Sequence, residues 1–222
     1  LQPMRVHGQL LKLDVPMMLG SSSLLVVMLL DGHLGRLEGG SLFAMLVLYL
    51  GYNVWKARTE RKGLPPALAA PDVPASLPVG RALFYAGGGL ALLALGADLL
   101  VDGAVVMARA AGLSEAVVGL TIVAIGTSLP ELATSLVATL RGEGDIALGN
   151  VVGSNIFNVL GILGISALVH PLERGGVAPV DLLVMLAASV LLLPLLRSGL
   201  LLARWEGALL LSVYTIYVVY LL

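Results

Sequence analysis

Cysteine is absent from this 222-residue chain and histidine occurs three times. Disulfide frameworks, zinc clusters and thiol chemistry are therefore excluded. Charge is also scarce: 12% of residues are Asp, Glu, Lys or Arg, about half of the roughly 25% usual in a soluble domain. A net charge of -1 offers no basic field for nucleic acid. What fills the chain instead is apolar sequence, 58% hydrophobic residues with a mean hydropathy of +0.98. It comes in runs of roughly 16 to 24 residues separated by short polar breaks, the length of bilayer-crossing helices. The composition implies an all-α polytopic membrane protein.

Apolar runs read against helix breakers predict seven spans, at 15–30, 41–55, 82–107, 115–140, 146–167, 180–196 and 205–222. The first follows Arg5 and Lys12 as a secretory signal would, but no small-x-small cleavage site follows in Leu30, Asp31, Gly32 and His33, so it reads as a span. Ten Lys and Arg residues fall on one side (Arg5, Lys12, Lys56, Arg58, Arg61, Lys62, Arg81, Arg141, Arg197, Arg204). Three fall on the other (Arg36, Arg109, Arg174). The richer side is expected in the cytoplasm of a plasma (inner) membrane, with the carboxy terminus outside. Residues 56–80, basic and then rich in proline (Pro65, Pro66, Pro71, Pro74, Pro78), read as an extended cytoplasmic linker.

A repeat is hidden in these spans. Arg36-Leu37-Glu38-Gly39 returns as Arg204-Trp205-Glu206-Gly207, and Asp14 returns as Asp181. An odd number of spans separates the two copies, so they would cross the bilayer in opposite directions, as an inverted repeat. On that alignment residues 1–55 hold the last two helices of an incomplete first repeat, and 81–222 hold a second repeat of five helices. A complete duplication would put three further spans upstream, in a parent chain of ten helices beginning about 90 residues before Leu1.

The fourth span carries Gly119, Thr121, Ala124, Gly126, Thr127, Ser128, Pro130 and Glu131. A single helix there sets the Glu131 carboxylate within about 5 Å of the bilayer centre. A charge at that depth costs at least about 2.5–3.5 kcal/mol and normally faces a polar cavity, a counter-ion or a transport path. Pro130 lacks the N–H that the Gly126 carbonyl would accept, so oxygens near 124–127 are expected to turn away from the helix. The fifth span answers with Gly149, Asn150, Gly153, Ser154, Asn155 and Asn158, with Ser154 and Asn158 on one face and glycines four apart that permit close helix approach. All these donors are hard oxygens, suited to sodium or calcium rather than to a transition metal. Calcium takes six to eight oxygens, about twice what this half offers, so a second carboxylate is expected from the missing repeat.

Gly126-Thr-Ser-Leu-Pro-Glu131 and Gly149-Asn-Val-Val-Gly-Ser-Asn155-Ile-Phe-Asn158 resemble the second alpha-repeat of the calcium/cation antiporter superfamily, in its prokaryotic sodium/calcium exchanger form. The resemblance covers the chain as the last seven of ten helices, with the alpha-repeat at 115–168. It implies Glu131 as the central ligand for calcium and sodium. It further implies the Thr127 carbonyl and hydroxyl, the Ala124 carbonyl, and side-chain oxygens of Ser128, Ser154 and Asn158. Some exchangers carry Asp where Asn158 stands, which leaves potassium dependence and stoichiometry open.

The expectation is an antiporter exchanging calcium for sodium by alternating access, with the third helix sliding across an ion-binding bundle. Its partners would be those two ions, the lipid bilayer and the absent first-repeat helices, with no cofactor. Alternatives are a calcium/proton antiporter on the same scaffold, or a non-transporting fragment that needs a partner chain. An intramembrane hydrolase using Ser128 or Ser154 would need an embedded His or Lys as base, which both spans lack. Asp98 and Asp102, the Gly89/Gly96/Gly103 strip, Ser114 and Glu115, and Glu143 and Asp145 read as structural. His33 and His170 read as interfacial, and Trp55, Tyr214, Tyr217 and Tyr220 as an interfacial belt or lipid-facing packing.

Overall fold

The computed structural model describes residues 4–5, 8, 10–63, 78–112, 118, 122, 124–175, 177–197 and 201–221. A two-residue strand β1 (Met4–Arg5) and a π-type turn (Leu10–Asp14) precede α1 (Val15–Met28), which ends in a short 3-10 turn. Then come β2 (His33–Leu34), α2 (Arg36–Gly63), α3 (Val79–Ala110), the one-turn α4 (Ala124–Thr127) and α5 (Leu129–Leu140). α6 (Gly144–Phe157) passes through a π-type segment (Asn158–Leu163) into α7 (Gly164–Val169), followed by β3 (Leu172–Glu173), α8 (Pro179–Arg197), β4 (Leu201–Leu202) and α9 (Arg204–Leu221).

Among the described residues, five helical stretches are long and apolar enough to cross a membrane: Leu10–Asp31, Arg36–Glu60, Val79–Ala110, Gly144–Val169 and Pro179–Arg197. The architecture is thus helical and multi-span. Two expectations need correction. The linker does not begin at Lys56: α2 stays helical to Gly63, because Lys56 to Lys62 contain no Gly or Pro to break a helix and are mostly Lys, Arg, Glu and Ala, which favour one. The proline-rich stretch 64–77 lies outside the described residues, as do the expected helix start at Ser114 and Glu115 and the position of Thr121. Nor is the fourth span one helix where it is described: the chain turns at Ser128 and restarts as α5.

The core gathers α1, α2, α6, α7 and α8. Val15, Met18, Leu42, Val152, Ile156, Leu160, Ala167 and Leu196 are buried in it. α7 lies against the start of α2 through Gly39 and Gly164, where the backbones come so near that a Cβ on Gly39 would sit 2.7 Å from the Gly164 carbonyl oxygen. By contrast α3 stands outside this core. Its apolar residues, from Leu83 and Phe84 to Val106 and Met107, are exposed, and it touches the rest of the chain along α4 and α5.

The same polar details occur twice, 167 or 168 residues apart. The Gly35 N–H donates to Glu38 Oε2 at 2.7 Å, and the Ala203 N–H donates to Glu206 Oε2 at 2.7 Å. Each bond has a Glu side chain reaching back to cover a backbone donor at a helix start. The Tyr49 hydroxyl donates to Asp14 Oδ1 at 2.7 Å, and the Tyr217 hydroxyl donates to Asp181 Oδ1 at 2.8 Å. Met4 pairs with Leu202 and Arg5 with Leu201, while Leu34 pairs with Leu172 and His33 with Glu173. The Tyr217 hydroxyl is thus bonded to Asp181, whose other oxygen accepts the Ala178 N–H at 2.7 Å.

Candidate functional site

Glu131 owes its place to the break at Ser128. Pro130 sits in the first turn of α5, where its missing N–H costs nothing because first-turn donors have no intrahelical acceptor. The preceding turn closes tightly instead, the Ser128 N–H donating to the Ile125 carbonyl at 3.1 Å. The carboxylate therefore lies in the first turn of α5, not in mid-helix as expected. There the positive end of the helix dipole favours its charge. Gly126, in the turn before, is buried, and a side chain there would collide with Val101 of α3. α3 thus closes on the break at the one residue small enough to admit it.

The carboxylate itself is half satisfied at best. Glu131 Oε2 is a buried side-chain oxygen with no hydrogen-bond partner. A bare buried acceptor in a native fold calls for an explanation such as an ion or a water. No three His, Cys, Asp or Glu side chains cluster among the described residues, so a cation at Glu131 would be held by one carboxylate and neutral oxygens.

Those neutral oxygens come from the hairpin partner. α5 and α6 are joined by a tight turn in which Gly142 takes a φ of 79°, the left-handed region that glycine enters without penalty. Antiparallel packing follows, and Asn150 fixes its register, because Asn150 Nδ2 donates to the Glu131 carbonyl at 3.0 Å and to Ser135 Oγ at 3.0 Å. With Asn150 level with Glu131, Ser154 lies one turn and Asn158 two turns further along the same helix, toward the level of the break. The Ser154 hydroxyl donates to the Val151 carbonyl at 3.1 Å, leaving its lone pairs as acceptors. Asn158 opens the π-type segment, a local widening that often marks functional positions in helices.

The predicted residues thus divide. Glu131 and Ser154 are partly buried on facing helices, whereas Thr127, Ser128 and Asn158 are exposed. Ala124 begins α4, so its backbone lies one short turn before the break. Glu131, Ser154 and Asn158 are carried by the hairpin helices, while Thr127 and Ser128 belong to the break itself. Asp98 and Asp102 are exposed on α3. Sequence reasoning missed Asn150 and Ser135 as organisers. The signal for Asn150 was its spacing, four and eight residues before Ser154 and Asn158 on the same helix side.

Residues 81–222 match the model of the sodium/calcium exchanger protein family. The chain belongs to that family. The exchanger chain is 40% identical over 222 residues to CaxA of Alkalimonas amylolytica, covering 98% of this chain and 70% of that protein. It is 36% identical over 196 residues to the inner membrane protein YrbG of Escherichia coli, covering 86% of this chain and 60% of YrbG. Among solved structures, the sodium-calcium exchanger NCX_Mj superposes with a TM-score of 0.78 at 32% identity, over 98% of this chain and 68% of that one. The exchanger chain is accordingly an antiporter-type membrane transporter and not an enzyme.

Proposed function

We propose that this exchanger chain supplies the last seven of ten helices of a calcium/sodium antiporter whose midplane site binds either ion at Glu131. The observation that carries the proposal is the buried Glu131 Oε2 with no hydrogen-bond partner, on a residue whose backbone carbonyl is bonded to the oxygen-bearing helix α6. Thr127, Ser128, Ser154, Asn158 and the Ala124 carbonyl are the proposed further ligands. Coupling follows from charge: an empty carboxylate site is costly in low dielectric, so the carrier crosses only when cations neutralise it. Calcium or several sodium ions meet that condition, and the empty carrier stalls. α3 is the proposed sliding element, since it touches the site at Gly126 and otherwise presents an exposed, glycine-interrupted surface.

The duplicated polar contacts support an inverted repeat. By the same relation the apolar cavity of about 200 Å³ lined by Leu136, Leu148, Val151, Leu202 and Gly207 is the counterpart of the seat where α7 covers Gly39. The proposed occupant is a first-repeat helix of the parent chain. The cationic residues orient the protein in a plasma membrane with 56–80 in the cytoplasm and the carboxy terminus outside.

The test is calcium uptake into proteoliposomes loaded with sodium. Uptake that requires an outward sodium gradient is expected, whereas uptake driven equally well by a proton gradient without sodium would replace sodium by proton as the counter-ion. A second prediction concerns Asn158. Asn158→Asp adds a formal charge two turns from Glu131, so half-saturation for calcium is expected to fall by about tenfold, with selectivity against sodium changed, since an added carboxylate contributes a charged hard ligand. An unaltered calcium and sodium dependence would take Asn158 out of the ligand set.

A further inference from the structure

Asn150 is the side chain the proposed ligand set leaves unused, and its bonds are specific. Its Nδ2 spends both hydrogens on α5, one on the Glu131 carbonyl and one on Ser135 Oγ, each at 3.0 Å. A backbone carbonyl can only accept, so the nitrogen and not the oxygen of the amide must face α5. Ser135 Oγ in turn lies 3.5 Å from the Ala147 carbonyl of α6. These contacts join α5 and α6 at the residue that bears the carboxylate, one turn after a break where α5 has no continuous helix to hold its height. First-turn backbone is the part of a helix least fixed by its own bonds.

We infer that Asn150 is a positioning residue for cation binding: through the Glu131 backbone it sets the level of that carboxylate against Ser154 and Asn158. Toward Glu131 Asn150 acts as a hydrogen-bond donor and not as an ion ligand, because the polar end it presents to α5 is the amide nitrogen. A shift of about 1 Å in a ligand costs large factors in function, and one amide with two bonds is what prevents such a shift here. Its role rests on the reading of Glu131 as a cation ligand, since Asn150 acts only through that residue.

Asn150→Asp keeps the volume but turns an oxygen toward the Glu131 carbonyl and removes both donors. Asn150→Gln keeps the donors on a longer arm, and Ser135→Ala removes one acceptor. Calcium-dependent uptake by the complete protein in proteoliposomes, with half-saturation and maximal rate measured separately, distinguishes them. Half-saturation is expected to rise by about tenfold or more in Asn150→Asp and about threefold in Ser135→Ala, with partial recovery in Asn150→Gln and smaller changes in maximal rate. Wild-type half-saturation in Asn150→Asp, beside an inactive Glu131→Gln, would overturn the positioning role alone. Wild-type uptake by Glu131→Gln would instead overturn the carboxylate assignment. If Asn150→Asp fails to fold, Ser135→Ala decides, and an unchanged half-saturation in that variant rejects the role.

Discussion

Glu131→Gln is expected to abolish cation exchange while leaving the fold as stable as before or more so. The two halves of that statement come from one observation. Because Glu131 Oε2 accepts no hydrogen bond within the described protein, an amide of the same shape gives up no internal contact. It also removes a buried charge whose desolvation opposes folding. A carboxylate kept for structure would behave in the opposite way, since its loss would strand a donor. Transport should fall by at least about a hundredfold, as removing one partner of a desolvated charge pair costs about 3–5 kcal/mol. Thermal unfolding in detergent and uptake of labelled calcium, measured on the same preparation, check both halves. A variant that unfolds earlier and transports normally would make Glu131 a structural residue.

The same carboxylate shows how far the sequence could be read. The conspicuous Glu131 and the oxygen-rich run around Ser154 and Asn158 were legible because polar residues stand out in an apolar chain. The break was only partly legible. Pro130 announces a disturbed turn, but whether a chain kinks or restarts depends on the packing of α3 against Gly126, which no local pattern encodes. Asn150 escaped for a related reason: its partners lie 15 and 19 residues away, and the register of a helical hairpin is set by its turn and core. Asp14 and Asp181 were recognisable as a repeated pair, yet their tyrosine partners were not, because aromatic residues in apolar spans read equally well as membrane-interface anchors. Lys56 to Lys62 misled through charge, which marks solvent and not the end of a helix.

Gly39→Ala is expected to have the largest effect on stability, and its contrast with Gly207 tests the repeat at the level of packing. A Cβ at Gly39 would lie 2.6 Å from the Leu168 backbone nitrogen, 2.7 Å from the Gly164 carbonyl oxygen and 2.7 Å from the Ala167 Cβ. Two of these are backbone atoms of a packed helix and cannot rotate aside, so α2 and α7 must separate. Overpacking of this kind costs about 1–3 kcal/mol or more, against at most about 1 kcal/mol gained from alanine's helix propensity. At Gly164 the contacts begin at 3.0 Å, and Gly164→Ala should be milder. Gly207, the counterpart of Gly39, has nothing within 4 Å of its Cβ position, so within this chain Gly207→Ala should be neutral or slightly stabilising. If a first-repeat helix seats there in the complete protein, Gly207→Ala becomes as damaging as Gly39→Ala. Thermal unfolding of both variants, in the 222-residue chain and in the complete protein, reads the difference directly. A neutral Gly207→Ala in the complete protein would remove the seat. A harmless Gly39→Ala would mean that α7, and with it the helix carrying Ser154 and Asn158, is not anchored through that contact.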